Sequence, residues 1–131
     1  MAIKSSKSKE IKIPDYSGKR ILHLSLKKQP FEVMVTGEKT QEYRFPSGWI
    51  MSRLKGKEYD YVKFVNGYGK DKPYFICEYK GWNISNTYIE LIYSNRLQVF
   101  SDKGDIVIDL GKVVEKGNLQ NFKHAKMPHL D

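Results

Sequence analysis

From Arg20 to Leu26 the chain reads RILHLSL, and its apolar positions alternate. Leu22, Leu24 and Leu26 fall on one face and Ile21, His23 and Ser25 on the other, the period-two pattern of a strand. The period then changes. Phe31, Met34 and Val35 form an i, i+3, i+4 stripe between Pro30, which suits a first helical position, and Gly37, which suits the position just past a helix end. This spacing predicts a short helix over 29–36. Residues 40–44 (TQEYR) read as a second strand, ended by Pro46. Pro46 and Ser47 then open a second short helix whose apolar residues are Trp49, Ile50 and Leu54.

From residue 59 onward the pattern is nearly all β. YDYVKFV, PYFICEYKGW, TYIELIY, RLQVF and DIVIDLGKVV are rich in aromatic and β-branched residues. Turn residues separate them: Asn66-Gly67, Asp71-Lys72-Pro73, Ser94-Asn95 and Asp102-Lys103-Gly104. About six strands with two short helices make an α+β fold. With no obvious crossover helix among the later strands, a closed antiparallel or mixed barrel is expected, because closure removes exposed edges. The 131 residues suit one domain. Lys4, Lys7, Lys9 and Lys12 stand among serines in 1–12, and Pro14 and Gly18 punctuate the entry to the folded part. The division expected is a flexible basic arm over 1–18, a domain over 19–116 and a loose tail over 117–131.

Charge narrows the class of partner. Lysine and arginine number 23 against 15 acidic residues, a net +8. A domain this basic attracts polyanions, nucleic acid being the commonest, and the arm would add phosphate contacts. The plainer reading is a lysine-rich solubilising surface. One cysteine, Cys77, excludes a disulfide framework within the chain and a cysteine-rich zinc site. No His, Cys or acidic cluster has metal-ligand spacing, so neither metal nor cofactor is expected. No run approaches the ~18 apolar residues that cross a bilayer, and the N-terminus lacks a signal-peptide core. The expectation is a cytoplasmic protein with no membrane partner.

The helix-to-strand junction, Gly37-Glu38-Lys39-Thr40-Gln41-Glu42-Tyr43-Arg44, gathers charge at regular spacing. Gly37 permits a left-handed helix terminus and a sharp turn. In a strand, Glu42 and Arg44 share a face, with Lys39 at the mouth of the turn. Arginine can hold a phosphate or a base edge through two hydrogen bonds, and Lys39 can meet a phosphate as a point charge. Glu42 can accept from a base amino group or orient Arg44. Alternatively the three are a solvated cluster worth under about 1 kcal/mol per pair. The octapeptide fits G-x-K-x-x-E-x-R, and in its strand-helix-strand setting, with FVNGYGKDKPYFICEYKGW and DIVIDLGKVVE downstream, the chain resembles ASCH domains over roughly residues 20–116. The resemblance implies a PUA-like β-barrel with a cleft between barrel and helix. It also implies that the cleft binds RNA, another nucleic acid or a modified nucleotide.

Further candidates surround this motif. Tyr68 and Lys70, in the loop Asn66-Gly67-Tyr68-Gly69-Lys70, suit base stacking and phosphate contact; the glycines equally suit a hairpin turn. Ser25 either faces the cleft or is an outward polar residue of its strand. Trp49 and Trp82 are more often packing than base platforms. Cys77 and Glu78 must face opposite sides of their strand. His23 reads as a structural histidine, while His124 and His129 lie in the tail. The resemblance also implies an alternative, a small hydrolase: a modified-cytidine amidohydrolase or a metal-independent ribonuclease. Lys39 and Glu42 would be its catalytic pair, with Arg44 stabilising charge. Amidohydrolase members pair that lysine with a threonine three positions on, where this chain has Glu42.

Overall fold

The alternation in RILHLSL becomes strand β1, Ile21–Leu26, with Leu22, Leu24 and Leu26 buried. The computed structural model describes residues 13–122. The basic run 1–12 and the segment 123–131, with His124 and His129, lie outside the described residues. Helix α1, Lys28–Val35, buries Phe31, Val33 and Met34. Pro30 therefore stands third in the helix rather than first, still within the turn whose N–H groups have no partner inside the helix. Gly37 follows the C-cap Thr36 at φ 89°, and the chain turns into β2, Gln41–Arg44. Helix α2, Gly48–Leu54, is capped by Ser47, whose Oγ accepts from the Ile50 N–H at 3.3 Å. Ile50 and Leu54 point into the core, but Trp49 faces outward and is 50% exposed.

Strands β3 (Tyr61–Asn66), β4 (Tyr74–Ile84) and β7 (Ile106–Gly117) complete the main sheet. Its order is β1-β3-β4-β7-β2, with β1 and β3 parallel and the other pairs antiparallel. The register of β4 against β7 slips after Ile76, Cys77 and Tyr79. Such bulges bend and twist a sheet, and the five strands curl into a half-barrel around Phe31, Phe64, Phe75, Ile106 and Ile108. Phe75 sits 5.2 Å from both Phe31 and Phe64, centroid to centroid. Cys77 is buried in this core, which pushes its thiol up to about 12, while Glu78 faces the opposite way and accepts from the Lys112 N–H at 3.0 Å.

The expected closed barrel is not formed. TYIELIY and RLQVF give β5 (Ile89–Ile92) and β6 (Gln98–Ser101), which pair only with each other. This ribbon lies between β4 and β7 in the chain, and its turn lies on α1. Asn95 Nδ2 donates to Gln29 O at 2.9 Å and to Glu32 Oε1 at 2.8 Å, and Glu38 accepts from Ser94 N and Oγ. The main sheet keeps two edges, β1 and β2. Residues outside 19–116 also make ring contacts with the sheet and α1. Tyr16 packs edge-on against Tyr61 at 5.3 Å, and Phe122 packs on Phe31 at 5.1 Å after a 3-10 turn, Leu119–Asn121. Among the described residues no helix is long and apolar enough to cross a membrane.

Candidate functional site

The site is built where the two sheet edges face each other. After Gly37, the Lys39 N–H donates to Val33 O at 2.9 Å. That bond ties the motif's lysine to α1 and turns its side chain inward, so only 4% of Lys39 is exposed. Its ammonium donates to Gln41 O at 2.5 Å and Glu42 Oε1 at 3.1 Å, with Met34 Sδ at 3.6 Å. Burial pushes the Lys39 pKa below its ordinary value, against the pull of Glu42, and Arg44 adds to the lowering. Glu42, 6% exposed, gives its other oxygen to Arg44 Nε at 2.7 Å. The three side chains thus form one line of charge, cation–anion–cation.

Arg44 carries that line across the seam. Its Nη2 donates to Ser25 O, on β1, at 2.9 Å. A side chain therefore joins edges that no backbone bond joins. Two cavities meet at this bridge, about 700 Å³ and about 530 Å³ in volume. Both are lined by Ser25, Arg44, Gly67 and Tyr68. The larger adds Lys27, Lys28, Glu42 and Asn66; the smaller adds His23 and Trp49. Volumes of this size suit small-molecule or single-nucleotide ligands. Tyr68 is 83% exposed on a turn whose flanking glycines both have positive φ, and Ser25 Oγ lies 3.2 Å from its hydroxyl.

No family model, no curated protein and no solved structure matches the chain. The chemistry of the seam is thus read from its own residues. Fixed by Glu42 on one side and Ser25 on the other, the guanidinium is oriented before any ligand arrives. The carboxylate is already neutralised by two cations, so Lys27, Lys28 and Arg44 leave the larger cavity positive. Tyr68 in both cavities and Trp49 in the smaller one offer stacking surfaces. An anion flanked by a planar ring is the ligand such a lining fits.

Of the expected site residues, Ser25, Glu42, Arg44 and Tyr68 are brought together. Lys39 joins them only through Glu42: it lines neither cavity, so it positions the others rather than meeting a phosphate. Lys70 is exposed in the Tyr68 turn and likewise lines neither cavity. His23, read as a structural histidine, is exposed on the outward side of β1. It faces the smaller cavity, where partial burial and then the Lys63 ammonium hold its pKa down. Trp49 is a cavity wall rather than core, whereas Trp82 packs against the core. Lys27 and Lys28 were legible through a conflict. They sit at the N-terminus of α1, where the helix dipole disfavours cations and no acidic residue offsets them. A local rule broken without local compensation marks a position serving something else.

Proposed function

We propose that this chain is an ASCH-type, PUA-like nucleic-acid-binding module that takes one nucleotide of RNA, or a modified nucleotide, in the cleft between β1 and β2. The observation that carries this reading is the Arg44 guanidinium, held across the seam by Glu42 and Ser25 and lining both cavities. In it, Arg44 and the lysines at the start of α1 receive the phosphate, and Tyr68 stacks on the base. Binding is favoured over hydrolysis because the Lys39 ammonium is taken up by Gln41, Glu42 and Met34, and both Glu42 oxygens receive cationic donors. Neither member of the suggested catalytic pair is free to attack or to take a proton.

Fluorescence titration with short single-stranded and duplex RNA and DNA, at two salt concentrations, tests this. Arg44→Ala should weaken binding at least roughly tenfold, the value of one charge-assisted bidentate contact. Arg44→Lys should fare little better, since an ammonium cannot hold Glu42, Ser25 and a ligand in one plane. Affinity unchanged in a folded Arg44→Ala protein would overturn the cleft.

A further inference from the structure

We infer that the cleft is one end of a longer path for a single-stranded polynucleotide, running from Tyr68 and Arg44 over the outer face of α2 to Arg20; this rests on the cleft reading above. Trp49, a wall of the smaller cavity, begins the path on α2. One turn further along, the Arg53 guanidinium lies over the Trp49 ring, 4.9 Å from its centroid. The Tyr59 hydroxyl donates to the Arg53 carbonyl, and the Arg20 guanidinium stands 5.6 Å from the Tyr59 centroid. Cation and ring therefore alternate along connected residues: Arg44, Trp49, Arg53, Tyr59, Arg20.

This alternation matches a polynucleotide, which presents a phosphate and a flat base in every unit. The arginines are also available. Among the described residues, the ion pairs Lys39–Glu42, Arg44–Glu42 and Lys80–Glu78 involve none of Arg20, Arg53, Lys55 and Lys57. Asp60, next to Tyr59 in the chain, spends an oxygen on the Arg20 backbone N–H at 3.0 Å. Cations stacked on rings keep their outer edges for phosphate oxygens. A duplex would hide its bases from Trp49, and an acidic protein segment would use the cations while leaving the ring idle.

The full-length chain is titrated with a nucleoside monophosphate, then with single-stranded RNA tetramers and octamers, at several salt concentrations. The octamer should bind at least about tenfold tighter than the monophosphate. Arg20→Ala with Arg53→Ala should remove most of that gain and lower the salt slope by about 0.7 for each lost phosphate contact, with monophosphate affinity unchanged. Lys55→Ala with Lys57→Ala, both on exposed side chains, should act in the same direction if the arginine variant fails to fold. An octamer no tighter than the monophosphate, or one insensitive to both variants, would overturn the path and leave the cleft standing. A monophosphate that fails to bind, with octamer affinity still lost in the arginine variant, would overturn the cleft and support the path. Equal competition by polyglutamate, with no effect of Trp49→Ala, would reassign the surface to an acidic protein and overturn this inference.

Discussion

Lys39 shows what a single residue does here. Its ammonium sits out of water beside one carboxylate, and that carboxylate orients the arginine on the seam. Removing one member of a buried ion pair strands the other, which typically costs about 3 kcal/mol, whereas replacing both with apolar groups of similar size is nearly neutral. Glu42 keeps Arg44 when Lys39 is lost, but Lys39 has no second carboxylate among the described residues, so Glu42→Leu should destabilise by about 3 kcal/mol in urea unfolding, and adding Lys39→Met should recover most of that loss because Arg44 keeps access to water. Ligand affinity should not recover in the double variant, because Arg44 Nε has lost its anchor. A double variant that binds like the wild type would show that Arg44 needs no such positioning. The spacing of Lys39, Glu42 and Arg44 was legible in the sequence, and so was the shared face of Glu42 and Arg44. The inward turn of Lys39 was not, since it depends on a bond to Val33 in a helix whose placement no local pattern specifies.

Among the elements, strand patterns were read well and their partners less so. Alternation located β1, and aromatic and β-branched runs located the strands after residue 59, yet β5 and β6 carry the same β-rich signature as the strands of the main sheet. Ile92 and Phe100 in these strands, and Tyr88 just before β5, are exposed, so what reads as a barrel wall is a ribbon with a bare face. The pairing of β4 with β7 rests on a feature equally silent in sequence. Gly117 lies opposite Tyr74, and a β-carbon there would stand 2.1 Å from Tyr74 Cε1. The ring has little freedom to yield: its hydroxyl donates to Glu115 Oε2 at 2.5 Å, and the Lys63 ammonium lies 4.4 Å from its centroid. Gly117→Ala should thus cost about 2 kcal/mol, the usual scale of overpacking. In a Tyr74→Ala background the same change should cost close to nothing, and a double-mutant cycle by thermal unfolding measures the coupling. Equal costs in both backgrounds would place the strain in the backbone instead.

For the whole molecule, ionisation sets the limits within which this fold holds. Glu115 accepts from both Tyr16, at 2.9 Å, and Tyr74, at 2.5 Å, which ties the lead-in before β1 to the last strand. Tyr16 is pushed well above 10.0, first by burial and then by Glu115; Tyr74 is raised first by its hydrogen bond to Glu115. Tyr43, Tyr79 and Tyr93 are raised chiefly by burial. A phenol raised by folding keeps its proton in the native state while the unfolded chain ionises near pH 10. The native state then binds more protons, so this stability is complete below about pH 10 and lost above it. Lys39 acts in the opposite sense: its lowered value means that stability rises as pH climbs from that value toward 10.5. Five phenols outweigh one ammonium, so the alkaline limb should fall. On the acid side, Glu38 and Glu78 are lowered by hydrogen bonds from Ser94 and the Lys112 N–H. Their contribution is present above 4.5 and lost as pH drops through their native values, while His23, lowered from 6.5, loses its share first. The Cys77 thiol, raised from 9.0 by burial, starts the alkaline loss before the phenols, so the melting temperature should hold from about pH 7 to about pH 9 and decline on either side. Replacing Tyr16 and Tyr74 together with phenylalanine should lower the plateau, for want of the Glu115 bonds, and make the alkaline decline shallower. An alkaline limb of unchanged steepness in that variant would show that the Glu115 pair does not set the upper limit, and would shift the cause to the phenols around β2 and the ribbon.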